Sequence, residues 1–112
     1  MTSSRPYLVR AMYQWIVDNG MTPHLLVNAE HENCMVPAGH INDGKIVLNI
    51  APMAVQGLTL GDDEVIFSAR FSGKAESILV PVPAILAVYA RENGQGMMFS
   101  DDDSPDQSSG KG

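Results

Sequence analysis

The chain has 112 residues, 45% of them hydrophobic, a net charge of −6 and one cysteine. That length suits one domain with its own core and no metal or disulfide staple. The single thiol, Cys34, excludes an internal disulfide and points to a reducing compartment. With 7 basic against 13 acidic residues, no basic patch exists to neutralise phosphates, which argues against general nucleic-acid binding.

The first segment carries no secretory pattern, because Arg10, Gln14 and Asp18 interrupt its apolar residues. At about 100° per residue, Leu8, Ala11, Met12, Trp15 and Ile16 form one apolar row and Val9, Tyr13 and Val17 a second beside it. Pro6 suits a first helical turn and Asn19-Gly20 supplies the stop, so a helix is expected over residues 6–19. Its apolar arc spans about twice the roughly 100° that one core requires. One row can serve this domain's core and the other a partner, a homodimer through paired helices being the simplest outcome; the alternative is that later loops of the same chain cover the second row.

Thr22-Pro23 leads into a strand at residues 24–30, with Leu25, Val27 and Ala29 on one face. Met35-Val36-Pro37 is a short extended piece that Pro37 confines to an edge or strand end. Asp43-Gly44 is the strongest hairpin signal, followed by a strand at residues 45–50 whose apolar residues suggest cover on both faces. Residues 51–56, APMAVQ, form a structured loop, and Leu58-Thr59-Leu60 a short strand. Residues 64–71 alternate, with Val65, Phe67, Ala69 and Phe71 on one face and Ser68 and Arg70 on the other. Ser72-Gly73-Lys74 closes a hairpin into a strand at residues 76–81, after which Pro83 opens a second helix, AILAVYAREN, ended by Asn93-Gly94. The expectation is a mainly β domain with two helices and five or six short antiparallel strands, as packed sheets or a small barrel. The most apolar run, residues 79–90, is too short and too proline-interrupted to span a bilayer. Residues 100–112, SDDDSPDQSSGKG, carry much of the negative charge and are expected to be disordered. A soluble cytoplasmic protein without membrane contact follows.

Catalytic and metal patterns are weak. His24, His31, Cys34 and His40 match no common zinc spacing. Cys34 has no neighbouring Lys or Arg to favour its thiolate, nothing places a histidine beside Ser68 or Ser77, and Asp62, Asp63 and Glu64 belong to a turn. Gly94 and Gly96 are too sparse for a phosphate loop. No enzyme, cofactor or metal site is expected. A recognition surface remains: Ala69 lies between Phe67 and Phe71 on one strand face, leaving a notch or merely accommodating core packing, and Ala54 is a second small residue where a peptide can approach the backbone.

Four segments in this order and spacing, RPYLVRAMYQWIVDNGMTPHLLVN, VP followed by DGKIVLNIAPMAVQGL, DDEVIFSARFSG, and AVYARENGQGMMF, resemble the SspB family of bacterial stringent-starvation proteins, specificity adaptors of the ClpXP protease. The resemblance covers residues 5–99, the expected domain. It implies a non-enzymatic homodimer that binds the ssrA tag added to polypeptides on stalled ribosomes and brings tagged chains to the unfoldase ClpX. It also implies antiparallel packed sheets related to a partly open Sm-like barrel, with the first helix at the dimer interface through Val9, Tyr13, Ile16 and Val17. Carried over by motif position, the groove residues are Ala51, Ala54, Ala69, Arg70 and Phe71, with Ala54 and Ala69 giving close approach. Members of the family end in a flexible linker and an apolar-basic docking peptide, whereas this sequence ends DQSSGKG; if the 112 residues are the whole protein, tag capture is expected to persist and delivery to be weak or lost, and a trimmed sequence is the alternative explanation. The competing readings are an Sm-like RNA-binding or ribosome-associated module, disfavoured by the acidic charge, and a small hydrolase using Cys34, which lacks partner residues.

Overall fold

A computed structural model describes residues 3–99; the expected disordered tail lies outside the described residues. Helix α1 (Arg5–Asp18) begins with Pro6 in its first turn, where the missing N–H leaves no bond unmade. It ends in a Schellman motif. Gly20 takes φ +72°, its N–H donates to the Val17 carbonyl at 3.0 Å, and the Met21 N–H donates to the Ile16 carbonyl at 3.1 Å.

Seven strands follow: β1 (Pro23–Asn28), β2 (Lys45–Asn49), β3 (Val55–Leu60), β4 (Glu64–Phe71), β5 (Lys74–Pro81), β6 (Ile85–Ala90) and β7 (Gly96–Met98). They form two antiparallel sheets, ordered β2-β1-β6-β7 and β3-β4-β5. The two sheets are separate and do not close into one barrel. Two hairpin turns have the left-handed backbone that Asn/Asp/Ser-Gly pairs tolerate: Asp43 and Gly44 at φ +57° and +75°, and Ser72 and Gly73 at +55° and +80°.

The second expected helix is instead β6, so the described residues contain one α-helix and two short 3₁₀ turns. Pro83 sits in one of those turns, Val82–Ala84, and Asn93-Gly94 serves the connection to β7, with the Gly94 N–H on the Ala90 carbonyl at 2.7 Å. Ile85, Ala87, Val88 and Ala90 are all buried. An interior strand between β1 and β7 satisfies its backbone on both edges and suits β-branched and aromatic side chains, which outweighs the local helix signals. The expectation for β2 is corrected in the other direction: its residues alternate cleanly and Val47 is 47% exposed, because the outer face of this sheet is open there.

One core serves both sheets and the helix. Val9 and Ile16 of α1 join Leu25, Leu48, Phe67, Ile78 and Val88 in it, and each such buried side chain contributes about 1.5–3 kcal/mol. The helix is fastened at its start by Arg5, which is only 6% exposed. Its Nη1 donates to the carbonyls of Pro83 at 3.0 Å and Ile85 at 3.1 Å, and the guanidinium lies 5.2 Å from the centre of the buried Phe99 ring. Farther along, Arg10 Nη1 donates to the Leu60 carbonyl and to Asp62 Oδ1, both at 3.0 Å. At the opposite end of the helix, the Thr22 N–H and hydroxyl donate to the two Glu92 oxygens at 2.9 and 2.7 Å.

Arg5→Ala leaves two carbonyls without their charged donor and is expected to lower stability by about 2–3 kcal/mol, measured as a fall in the urea midpoint; an unchanged midpoint would mean those carbonyls rehydrate without cost. The Thr22 hydrogen bonds hold the Glu92 carboxyl at about 2, below its ordinary 4.5. The folded state therefore binds this proton more weakly than the unfolded chain, and the contribution is complete above pH 4.5 and fades as pH falls toward 2. An NMR titration should place the Glu92 midpoint well below that of other glutamates, and Thr22→Val, which removes the hydroxyl but keeps the larger effect of the backbone N–H, should return it only part of the way toward 4.5.

Candidate functional site

The β3-β4-β5 sheet is buried at one end and open at the other. Cross-strand pairing sets its inner face in rows, Val65 beside Val80, Phe67 beside Ile78, then Ala69 between Val55 and Glu76, and Phe71 beside Lys74. The first two rows are fully buried, whereas Ala69, Phe71 and Glu76 are half-buried and Lys74 is exposed. Along the outer edge of β5, Leu79 exchanges two hydrogen bonds with Met35, at 2.8 and 3.0 Å. Beyond that bridge the chain at residues 36–40 departs from β5, and a concavity of about 550 Å³ opens between them. Residues 36–40 make one wall, and Phe71, Ser72, Lys74 and Glu76 make the other.

Hydrogen-bond direction alternates along an antiparallel strand. Since Leu79 directs both its backbone groups toward Met35, Ser77 and Ala75 direct theirs to the same edge, where no strand of the described residues covers them. An extended ligand there would meet a backbone ladder, an apolar floor at Phe71 and charges of both signs.

The structure brings some of the sequence-derived site residues together. Ala69 lies between Phe67 and Phe71 on the inner face and is half-buried against the core. Ala54 is exposed immediately before Val55, the partner of Ala69, so the APMAV and FSARF segments are neighbours. Ala51 stands one turn earlier. Its N–H donates to Asn49 Oδ1 at 2.9 Å, and its carbonyl accepts from the Ala54 N–H at 2.8 Å. Arg70 lies on the opposite face, exposed, with its guanidinium directed to the Gly73 carbonyl at 3.4 Å. The wall at residues 36–40 and the pair Lys74 and Glu76 were missed by sequence reasoning. Pro37 marked an edge, but nothing local tied it to Leu79, 42 positions later in the chain.

Of the four residues expected at a dimer interface, the single chain buries two. Val9 and Ile16 are each 1% exposed, sealed in the chain's own core, and have no surface to offer a partner. Tyr13 and Val17 are half-buried, and burial pushes the Tyr13 phenol up from its ordinary range. The helix row left open runs through Tyr7, Ala11 and Trp15, and Trp15 borders a cleft of about 60 Å³ with Asn19, Met21 and Asn93.

Among the described residues, no three His, Cys, Asp or Glu side chains are placed to hold a metal ion. Cys34 is half-buried and its thiol is pushed up by burial, which suppresses the thiolate a nucleophile needs. No described helix is long and apolar enough to cross a membrane.

Comparison with known proteins matches the profile of the family described as Stringent starvation protein B over residues 3–111. The Stringent starvation protein B homolog of Haemophilus influenzae is 46% identical over 103 residues, which cover 92% of this chain and 69% of that protein.

Proposed function

This chain belongs to the stringent starvation protein B family, and we propose that it is a non-enzymatic adaptor that captures ssrA-tagged polypeptides in the concavity beside β5 and presents them to the ClpXP protease. The observation that carries the reading is the concavity between residues 36–40 and the Phe71–Glu76 hairpin, bordered by a β5 edge that no described strand covers. Peptides commonly bind such edges as an added strand, the backbone supplying affinity and side-chain pockets the selection. Phe71 offers an apolar contact inside the concavity, and Ala69, one row along the same strand face, keeps the sheet surface low beside it; Ala54 lies across β4, at the β3 edge of the sheet. Arg70, on the outer face, is left for a peptide flank or for structure around the Gly73 turn.

Capture of this kind raises the tagged chain's concentration near the protease when adaptor and unfoldase are engaged together, with no covalent step in the adaptor. The partners on this reading are the tagged polypeptide, the ClpX unfoldase and a second copy of the chain, in the cytoplasm and near ribosomes. The second copy is assigned to the row of Tyr7, Ala11 and Trp15, with Tyr13 and Val17 lying across the helix from it. A self-complementary helix face closes a two-fold dimer, and Tyr and Trp are efficient anchors in such contacts.

The direct test is fluorescence anisotropy of a labelled ssrA-tag peptide against a scrambled peptide of equal charge. Saturable binding of the tag peptide alone is expected, whereas equal binding of both removes the capture reading. Ala69→Gln, which fills the space between Phe67 and Phe71, should weaken tag binding at least about tenfold, or about 1.4 kcal/mol, with the thermal midpoint little changed. For the dimer, Trp15→Glu should shift the protein to monomer in sedimentation velocity while leaving its circular dichroism intact, because the side chain is 47% exposed in the single chain. Retained dimer would move the interface elsewhere.

A further inference from the structure

The concavity has a titratable group that the capture reading does not use. Residues Ala38–His40 form a 3₁₀ turn, and it ends with His40 on the wall opposite β5. The ring lies against Phe71, with centroids 5.1 Å apart and planes inclined at 57°. Its Nε2 is 3.5 Å from Ser72 Oγ, at the limit of hydrogen bonding. The charged groups facing it from β5 are Lys74 and Glu76, one of each sign. Arg70 leaves by the other face of β4, and Pro37, Ala38 and Gly39 of its own segment carry no side-chain charge. The lining is therefore neutral when the imidazole is neutral and carries one positive charge when it is protonated. Among side-chain types, imidazole is the one whose unperturbed charge change falls between about pH 5 and 8.

Resting on the capture reading above, we propose that His40 is the charge-selecting residue of the groove, favouring a peptide with an acidic side chain over Phe71 as the pH falls. A carboxylate laid on the Phe71 ring comes within reach of the imidazolium, while Lys74 is offset by Glu76 beside it. With neutral His40, the same position does not distinguish Asp from Asn. The effect is limited by solvent, since His40 is exposed, and corresponds to about a two- to fivefold change in affinity.

The experiment is an Asp-against-Asn scan of the labelled tag peptide, each pair measured at about pH 5.5 and about pH 7.5, between which the peptide carboxylates stay ionised and histidine changes charge. At one peptide position Asp should bind about two- to fivefold more tightly than Asn at the lower pH and equally at the higher. His40→Gln should abolish that difference, and His40→Lys, carrying a fixed charge, should show it at both pH values. A purely structural role for the ring predicts neither the abolished nor the constitutive preference. Bound peptide with no pH-dependent position, or a preference that survives in His40→Gln, overturns the role of His40 alone. Failure to bind the parent tag at either pH overturns the capture reading and this inference with it.

Discussion

The fold turns on a buried cation. Arg5 opens the helix, yet its guanidinium is spent on the carbonyls of Pro83 and Ile85 and on the face of Phe99, where β5 gives way to β6 and where the described chain ends. Burying a charge is costly unless its donors are used, so the helix start, the 3₁₀ turn before β6 and Phe99 are held in one arrangement. From that point the helix lies across the core in a set direction. Val9 and Ile16 then close the core, and Arg10 reaches the end of β3.

The concavity depends on this indirectly. Both sheets contribute to one core, and the chain crosses between them at residues 50–54 and again at residues 82–84. The Val82 N–H donates to the Asp63 carbonyl at 2.9 Å, anchoring the buried end of β4 and β5. Their other end extends past the core, held on one side by the β3 pairing at Ala69 and faced on the other by residues 36–40. A rigid root and an open tip give a surface whose floor is set by packing and whose far wall is a short loop. That division suits recognition, because binding residues on loops are positioned by a scaffold that does not itself have to move.

Much of this architecture is legible in the chain because local chemistry decides it. Pro6 and Asn19-Gly20 bound the helix, and Asp43-Gly44 and Ser72-Gly73 make the tight turns, each through a backbone preference carried by the residues themselves. The misreadings arise where the deciding partner is distant. Pro83 and Asn93-Gly94 punctuate β6 as well as they would a helix, and the free edge of β1, some sixty residues earlier, settles the matter. Helical periodicity reveals two apolar rows in α1, but not which faces inward; that depends on where Arg5 pins its first turn. Ala54, Ala69 and Phe71 are recognisable in their segments, whereas His40, Lys74 and Glu76 become neighbours of Phe71 only through a turn and one long-range bridge.

The uncovered stretch of β5 has a further consequence for the protein's behaviour at high concentration. A bare strand edge is a template for indiscriminate polymerisation, and natural sheets guard such edges with charge, proline and brevity. Here Lys74 and Glu76 flank the stretch, Pro37 on the facing segment has no N–H to donate, and the Met35 bridge ends the open length at Leu79. Two such edges meeting antiparallel would have to accommodate both loops at residues 36–40 in the same space. The wall that shapes the concavity thus also keeps one molecule from growing onto the next.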